Sequence, residues 1–280
     1  MTPKTRADPY STGPYGLDNL TERNRLLLLE QVKDPVTIRI LKSLPIEESS
    51  RCLEIGAGMG SIAYWLAARC SQGKVVAIDI DTRNLDPQRS PNLYIQEVDI
   101  VTHDFAPSSF DLIHARAVLC HLSAREEVLS RAYQWISPGG WLVVEDVYTP
   151  PVGTSPYPAM NRYAAAAHQA AQQRGADMQW GNRLPGIMAQ LGFAHIAAKA
   201  SPRLVCSGGL PDRLWRINLQ QAGSHMSRSG LLTEAELAEC LDLLDNPNFV
   251  DIRYIGIAAW GQKPCAKPDG RTIELKHSKA

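Results

Sequence analysis

A glycine-rich segment, CLEIGAGMGS at residues 52–61, is the part of the sequence most suited to holding a ligand. An apolar run precedes Gly56, Gly58 and Gly60, which predicts a buried strand, a tight turn and then a helix. Glycines at this spacing let the backbone come very close to a nucleotide-like ligand or to the neighbouring helix. The dinucleotide fingerprint needs a further glycine where Ser61 stands. Tight packing of strand against helix stays open as the purely structural interpretation.

Two acidic residues narrow the choice of ligand. Glu54 lies just before the first glycine, where a carboxylate is badly placed beside a pyrophosphate but suits an ammonium or sulfonium group. Asp79 ends the next apolar run, KVVAID, and its two oxygens can accept hydrogen bonds from both hydroxyls of a ribose. Packing alone leaves both carboxylates unexplained. The pattern therefore predicts a nucleoside that carries a positive charge and no phosphate.

Three residues are candidates for acid–base chemistry. His121 follows the fourth predicted strand, and an imidazole changes its charge near neutral pH. Glu145 and Asp146 end the fifth predicted strand, where they could orient an acceptor or neutralise a developing positive charge. Structural roles stay open as well. The histidine could bond the backbone at the start of the next helix, and the carboxylates could form a solvated strand end or pair with an arginine.

Five apolar runs that alternate with helical patterns must position these groups. Strands are predicted in RCLEIGAG, KVVAID, NLYIQEVDI, FDLIHARAVL and GWLVVEDV. This alternation predicts a parallel sheet with helices on both faces and ligands at the carboxyl ends of its strands. Before the sheet, Asp34 and Pro35 predict the start of a second N-terminal helix. After the fourth strand, Ser123 and Glu126 predict a capping box.

Composition and charge disfavour several classes of function. Lysine plus arginine equals aspartate plus glutamate at 29 each, so no overall field attracts nucleic acid or an anionic membrane. The six cysteines are scattered without metal-ligand spacing, and no metal site is predicted. No run approaches about 18 apolar residues, and the polar start lacks the pattern of a secretion signal. We expect a cytoplasmic protein.

Five motifs follow one another in an order that resembles the class I S-adenosylmethionine-dependent methyltransferases: LEIGAGMGSIA, VVAIDI, VDI, FDLIHARAVLCHL and SPGGWLVVED. The flanking segments look like the small-molecule methyltransferases of bacterial secondary metabolism. The resemblance implies an α/β fold, a doubly wound seven-stranded, mostly parallel sheet (the Rossmann-like methyltransferase fold) with an N-terminal helical cover and helical insertions. The implied domains are a helical lid or cover at 1–48, a catalytic domain at 49–264 with acceptor-binding insertions at about 150–192 and 207–246, and a polar tail at 265–280.

The resemblance also implies S-adenosyl-L-methionine as the cofactor. Glu54 and the glycine turn would hold its methionine half, while Asp79 would hold the ribose. Asp99 would accept from the adenine amine, and the Ala115 carbonyl would face the methionine ammonium with Arg116 beside it. The full set of predicted cofactor residues is Tyr15, Glu54, Gly56, Ala57, Gly58, Gly60, Asp79, Ile80, Asp99, Ile100, Ala115 and Arg116.

The acceptor side is less well defined by the sequence. Tyr15 and the helix after it resemble a lid that closes over the cofactor and excludes water. Apolar residues of the two insertions would line an acceptor pocket, among them Met160, Trp180, Trp215 and Met226. Any single one of these is also a normal core residue.

Methyl transfer from a sulfonium is the predicted reaction. It is an in-line displacement in which the protein mainly aligns the nucleophile and excludes water, with possible help from a general base. The predicted acceptor is a small natural product that is methylated on oxygen first, then on nitrogen or carbon in order of preference. Two alternatives stay open: a methyltransferase-fold protein that uses bound cofactor for a non-methylating step such as a cyclisation, and a binding module that senses the cofactor. Related enzymes often form homodimers, and one is expected as a possibility here.

Overall fold

A computed structural model describes residues 13–16, 20–206 and 208–265 of this chain. The predicted polar tail lies outside the described residues beyond Cys265, as does the first part of the predicted N-terminal cover up to residue 12. Within the described ranges the chain folds around one central sheet.

The sheet has seven strands in the order β3-β2-β1-β4-β5-β7-β6. All neighbouring strands run parallel except β7, which is antiparallel to both β5 and β6. This confirms the doubly wound, seven-stranded and mostly parallel sheet that the resemblance implies. The strands are β1 Arg51–Ile55, β2 Lys74–Asp79, β3 Leu93–Glu97, β4 Phe110–Arg116, β5 Ile136–Tyr148, β6 Ala194–Cys206 and β7 Val250–Gln262.

Seven α-helices surround the sheet in the described residues, and a short 3₁₀ turn at Leu119–His121 follows β4. The helices are α1 Glu22–Lys42, α2 Ser61–Arg69, α3 Arg125–Trp135, α4 Pro158–Gln173, α5 Trp180–Gln190, α6 Gly209–Arg228 and α7 Glu234–Leu243. Helices α4 to α7 fall in the two predicted insertions. Helix α5 packs on a face of the sheet and does not cover the carboxyl ends of the strands.

Three apolar clusters divide the fold into layers. Helices α3 and α5 bury their apolar faces against one side of the sheet. Helix α2 and the C-terminal half of α1 cover the other side. Helices α4, α6 and α7 pack on one another in a separate cluster. The N-terminal half of α1 joins the two parts, because Leu28 and Val32 pack against Leu214 of α6.

Two local predictions about helix ends are wrong. Asp34 and Pro35 do not begin a new helix, because α1 runs through both and carries the proline inside it. The Asp34 carboxylate has tertiary partners instead of a capping role, as described below. Helix α3 begins at Arg125 after Ala124, which makes no side-chain capping hydrogen bond, so the Ser123 capping box does not form. In both places tertiary packing overrides a local propensity.

Candidate functional site

A cavity of about 380 Å³ opens at the carboxyl ends of the central parallel strands. Its floor comes from the ends of β1, β2, β4 and β5, and α1, α4 and α6 supply side chains that cover it. Open α/β sheets place ligands at this edge, and the volume falls in the usual range for small-molecule sites of about 300–1,000 Å³. The ends of these strands are also where the sequence concentrates its candidate residues.

The glycine turn after β1 forms one wall. Gly56 has a φ of +71°, and a Cβ there would lie 2.1 Å from a Val118 methyl carbon, so only glycine fits. The Gly56 and Ala57 N–H groups donate to the Ile78 carbonyl at 2.9 and 3.0 Å, which ties the turn to β2. Gly56, Ala57 and Gly58 line the cavity. The backbone therefore approaches the cavity at the place that the sequence predicts.

Asp79, the last residue of β2, and Asp99, which follows β3, lie on the adjoining wall. One Asp79 carboxylate oxygen accepts from the Gly58 N–H at 2.8 Å, and the other accepts from the Asp81 N–H at 3.2 Å. Burial raises the pKa of Asp79 above its ordinary value. Ile80 and Ile100 line the same region, and exposed Asp99 joins them. Two carboxylates beside apolar side chains match the polar and apolar parts of a nucleoside.

Three predicted cofactor residues do not line the cavity: Glu54, Gly60 and Ala115. The positions of Gly60 and Ala115 explain this: Gly60 is packed against Tyr64 and Leu85, and Ala115 is buried in the core beneath the cavity floor. Their predicted contacts with the methionine half are therefore not supported by their positions.

Glu54 has a different partner from the predicted one. Its carboxylate bonds the Nδ1 of His114 on the neighbouring strand at 2.6 Å, and both side chains are buried. The Nε2 of His114 lies 3.2 Å from Glu145. The imidazole thus joins two carboxylates across three neighbouring strands. Of these three side chains, only Glu145 lines the cavity.

The charges of Glu54, His114 and Glu145 explain why these three side chains can be buried together. Burial opposes protonation of His114, but Glu54 and Glu145 outweigh it and raise the pKa of His114 to about 9. Burial also acts to raise the pKa of Glu145, yet its hydrogen bond with His114 holds that pKa below the ordinary value. At neutral pH the imidazolium therefore compensates the carboxylates, and Glu145 presents an anion that already has a counter-ion.

Arg116 lines the cavity, as predicted, but it is held by α1. Its guanidinium donates to Asp34 at 2.8 Å and to the Thr37 hydroxyl at 2.9 Å. Asp34 also accepts from the Ser61 hydroxyl, so the carboxylate ties α1 to both the glycine turn and β4. The Ser61 N–H donates to Glu30 at 3.0 Å. These bonds fix α1 as one side of the cavity.

His121 and Tyr15 meet at the other end of the cavity. Their rings are 6.4 Å apart in an edge-on arrangement, and the Arg25 guanidinium lies 4.5 Å from the centre of the Tyr15 ring. Burial and the nearby cations Arg25, Arg174 and Arg125 lower the pKa of His121 to about 4. The imidazole is therefore neutral near pH 7 and can accept a proton only weakly.

Asp146 is the most unusual candidate. It is 3% exposed, and Oδ2 accepts from the Cys120 N–H at 3.1 Å. Oδ1 is buried and has no hydrogen-bond partner in the described part of the chain. Burial raises the pKa of Asp146 to about 7. Because Asp146 also lines the cavity, it is a carboxylate poised to take a proton near neutral pH.

Sequence reasoning predicted a helical cover at the N-terminus but named none of the α1 residues that line the cavity, and it misplaced part of the acceptor wall. Leu26, Leu29, Glu30 and Lys33 all line the cavity. Their spacing of i, i+3, i+4 and i+7 marks one helical face, and this was the signal available in the sequence. Of the four predicted pocket residues only Trp215 lines the cavity.

The remaining three predicted pocket residues are core residues. Met160 and Met226 are buried in the cluster of α4, α6 and α7, and Trp180 is buried against the sheet. Trp180 belongs to α5, which packs on the sheet and not over the ligand edge. The first predicted insertion therefore supplies the cavity through α4 and the segment before α5, not through α5.

Comparison with known proteins adds a family to this geometry. Residues 53–144 match the family model described as "Methyltransferase domain". Residues 53–144 of this chain are a methyltransferase domain. A curated relative, methyltransferase str2 of Strobilurus tenacellus, is 36% identical over 108 residues, which cover 38% of this chain and 39% of the relative. The chain thus spans less than half the length of this relative.

Solved structures extend the likeness to the whole fold. Phosphoethanolamine N-methyltransferase 2 of Haemonchus contortus, bound to phosphomonomethylethanolamine and S-adenosylhomocysteine, superposes with a TM-score of 0.59 at 16% identity, covering 90% of this chain and 60% of its own. The [4+2]-cyclase SpnF superposes with a TM-score of 0.54 at 15% identity, covering 84% and 83% of the two chains. At these identities the likeness shows the fold.

These findings confirm the predicted methyltransferase domain for residues 53–144. They also confirm the Rossmann-like methyltransferase fold. In the described residues, no helix combines the length and the apolar character needed to cross a membrane. The roles of individual residues stay predictions.

Proposed function

We propose that this chain transfers the methyl group of S-adenosylmethionine to a small acceptor, with hydroxyl oxygen as the first choice of target. One observation carries the proposal. A single cavity joins a nucleoside-type wall, with Asp79 and the glycine turn, to a wall that holds the buried carboxylate Asp146. A cofactor site alone needs the first wall only. The second wall supports a reaction in which a proton leaves the acceptor.

The cofactor wall fits S-adenosylmethionine by the chemistry of its donors and acceptors. Asp79 is fixed by two backbone N–H groups, so its carboxylate is oriented before a ribose arrives. Asp99 lies at the adjoining edge with Ile100, where an adenine would find one acceptor and one apolar face. When bound, the cofactor supplies an electrophilic methyl group. The chain has to align the acceptor and exclude water.

Asp146 is the proposed general base. With a pKa of about 7 it is partly ionised at neutral pH, and because the residue lines the cavity its carboxylate would take the acceptor's proton. His121 is neutral and serves as a hydrogen-bond partner or a weaker base. Glu145, held by the His114 imidazolium, supplies a fixed negative charge at the same sheet edge. All three candidates predicted from the sequence thus line the cavity but have different proposed roles.

The acceptor wall supports a mainly apolar, aromatic-sized acceptor. Trp215 lies 6.0 Å from the Tyr163 ring and 6.2 Å from the Tyr254 ring, and all three line the cavity. Such an acceptor agrees with the proposed role in secondary metabolism. The neutral net charge supports small molecules over nucleic acid as substrates. We also propose a cytoplasmic location and keep a homodimer as an expectation for light scattering to test.

A second candidate function is a non-methylating step on the same scaffold. It is favoured by the superposition with the [4+2]-cyclase SpnF, although that likeness reports the fold. In that case bound cofactor would act through shape and charge, and Asp146 would have no proton to take from a hydroxyl. A carboxyl group that lines the cavity and has a pKa of about 7 favours methyl transfer.

The test uses S-adenosylmethionine with a tritium-labelled methyl group and a panel of phenols, amines and activated methylenes. Label in a product confirms methyl transfer. Product formation without label supports the second candidate function. Asp79→Ala should weaken S-adenosylhomocysteine binding by roughly tenfold to a hundredfold in calorimetry, because it removes a charged acceptor for the ribose. An unchanged dissociation constant would show that Asp79 does not hold the cofactor.

A further inference from the structure

We infer that Lys33, with Arg203 behind it, forms an anion subsite in the acceptor half of the cavity, and that the acceptor carries a carboxylate or phosphate group that this subsite binds. The inference rests on the proposed function, because it names the class of acceptor for that same site.

The position of the Lys33 ammonium group is defined by strand β7. Its Nζ lies 5.1 Å from the centre of the Tyr254 ring. A Cβ added at Gly256 would lie 3.2 Å from the same Nζ, so the absence of a side chain there leaves room for the ammonium. Tyr254 and Gly256 share one face of the strand, since side chains alternate. Lys33 therefore lies along that face of the sheet while it also lines the cavity.

Arg203 places a second cation beside the first. It pairs with Tyr254 in the antiparallel β6–β7 ladder, so both side chains leave the sheet on the same face. Arg203 is half-buried, and its Nε is buried without a hydrogen-bond partner among the described residues. Such an N–H group is costly to leave unsatisfied. Arg203 does not line the cavity, so it supports an anion at Lys33 mainly through its charge.

The nearby carboxylates do not neutralise Lys33 directly. Among the carboxylates, Glu145 raises the pKa of Lys33 most, but its oxygen already bonds the His114 imidazolium. Asp146 acts on Lys33 more weakly, and Arg116 adds a further positive charge. Burial and then the Arg203 charge lower the pKa of Lys33 to about 8, as expected for a cation that has no bound anion. A carboxylate or phosphate would relieve this repulsion.

The subsite also has a geometric function. Tyr254 and Trp215 form an apolar surface next to the Lys33 ammonium, and Asp146 lies on β5, the strand paired with β7. An acceptor with an aromatic body and an anionic end could place its charge at Lys33 and its ring on this surface. Its reacting oxygen would then be directed toward the strand ends that hold Asp146. The anion thus orients the acceptor without taking part in the transfer itself.

The test measures binding, so it does not depend on turnover. Protein saturated with S-adenosylhomocysteine is titrated in a calorimeter with para-hydroxybenzoate, phenyl phosphate and the neutral methyl ester of para-hydroxybenzoate. We expect each anion to bind at least about tenfold more tightly than the ester, the worth of one charge-assisted hydrogen bond. Whichever anion binds more tightly identifies the group as carboxylate or phosphate. Equal binding of acid and ester, or no saturable binding of either anion, overturns the inference.

Variants assign the effect to the two cations. Lys33→Met should remove roughly a tenfold preference for the anion, Arg203→Met should remove about threefold, and Lys33→Arg should retain most of it. Lys74→Met is the matched control, since the Lys74 Nζ lies 4.5 Å from the Tyr94 ring and neither residue lines the cavity. Unchanged affinity for S-adenosylhomocysteine shows that each variant is folded. An anion preference that survives Lys33→Met refutes the assignment.

The two proposals can fail separately. Labelled methyl transfer to neutral acceptors, with no anion preference in the titration, removes the anion subsite and leaves the methyltransferase activity in place. Anion binding that depends on Lys33, with no label in any product, leaves the subsite and removes the proposed activity.

Discussion

Replacement of Asp146 by asparagine should change both the pH dependence of stability and the rate of methyl transfer. The folded chain holds this carboxyl at a pKa of about 7, against an ordinary value of 3.8. The folded state therefore binds the proton more tightly than the unfolded state over about three pH units. Each such unit corresponds to about 1.4 kcal/mol, so the wild type should lose up to about 4 kcal/mol of unfolding free energy between pH 4 and pH 8 through this group.

The sign of this effect follows from the raised pKa. Stability from the protonated carboxyl is fully present below the unfolded value and is lost as the pH rises through about 7. Asparagine does not titrate, so at pH 4 the unfolding free energy of Asp146→Asn should be lower than that of wild type. As the pH rises, the wild-type unfolding free energy falls and this difference should shrink. Its amide can keep an oxygen near the Cys120 N–H, which limits any constant offset.

Urea unfolding at a series of pH values from 4 to 9 measures the difference between the two proteins. Glu127→Gln, an exposed carboxylate on α3, controls for the removal of a charge. A difference between wild type and Asp146→Asn that stays flat across this range would refute a raised pKa at Asp146. In the labelled-methyl assay the wild-type rate should rise through a step near pH 7 that the variant lacks, and the variant should be slower by roughly 10²–10⁴-fold. A variant that keeps both the rate and the step removes Asp146 as the base.

Two further substitutions test the sheet edge. His114→Gln leaves two buried carboxylates without their cation and should lower the unfolding free energy by about 3–5 kcal/mol at pH 7, whereas exposed His195→Gln should not. The loss should shrink as the pH rises through about 9, where the wild-type imidazolium deprotonates; a loss that is constant with pH contradicts the charged pairing. Gly56→Ala should cost about 1–3 kcal/mol of unfolding free energy and weaken S-adenosylhomocysteine binding, since it combines a positive φ with a Val118 clash. Gly186→Ala is the control, because a Cβ at this position in α5 meets open space, and it should be neutral or stabilising. Equal effects of Gly56→Ala and Gly186→Ala would rule out the close approach of Gly56 to Val118.

Local patterns determined the cofactor wall. A strand, a glycine turn and a helix form one continuous segment, so the sequence could place Gly56 and Gly58 next to Asp79 without knowing the rest of the fold. The alternation of strands and helices also predicted the parallel sheet with helices on both faces. The two helix ends at Pro35 and Ser123 were wrong because a local signal there competes with packing that the sequence does not display.

Tertiary structure decided the partners of the charged groups. Strand register sets Glu54 directly beside His114, which turns a predicted ligand contact into a buried carboxylate–imidazolium pair. Strand alternation sends the adjacent residues Glu145 and Asp146 to different surroundings: Glu145 bonds the His114 imidazolium, whereas burial dominates at Asp146. Their sequence neighbourhood is the same, so no spacing rule could separate their pKa values.

The sequence by itself thus determined the methyltransferase domain, the parallel strands and the glycine turn, because these depend on short segments whose residues are neighbours in the chain. Only the tertiary structure brought Lys33 from the N-terminal helix to Tyr254 and Gly256 on the last strand. More than 200 residues separate them in sequence. Charge, burial and hydrogen bonding depend on such distant neighbours, and for that reason the acceptor side of the cavity becomes visible only in the folded chain.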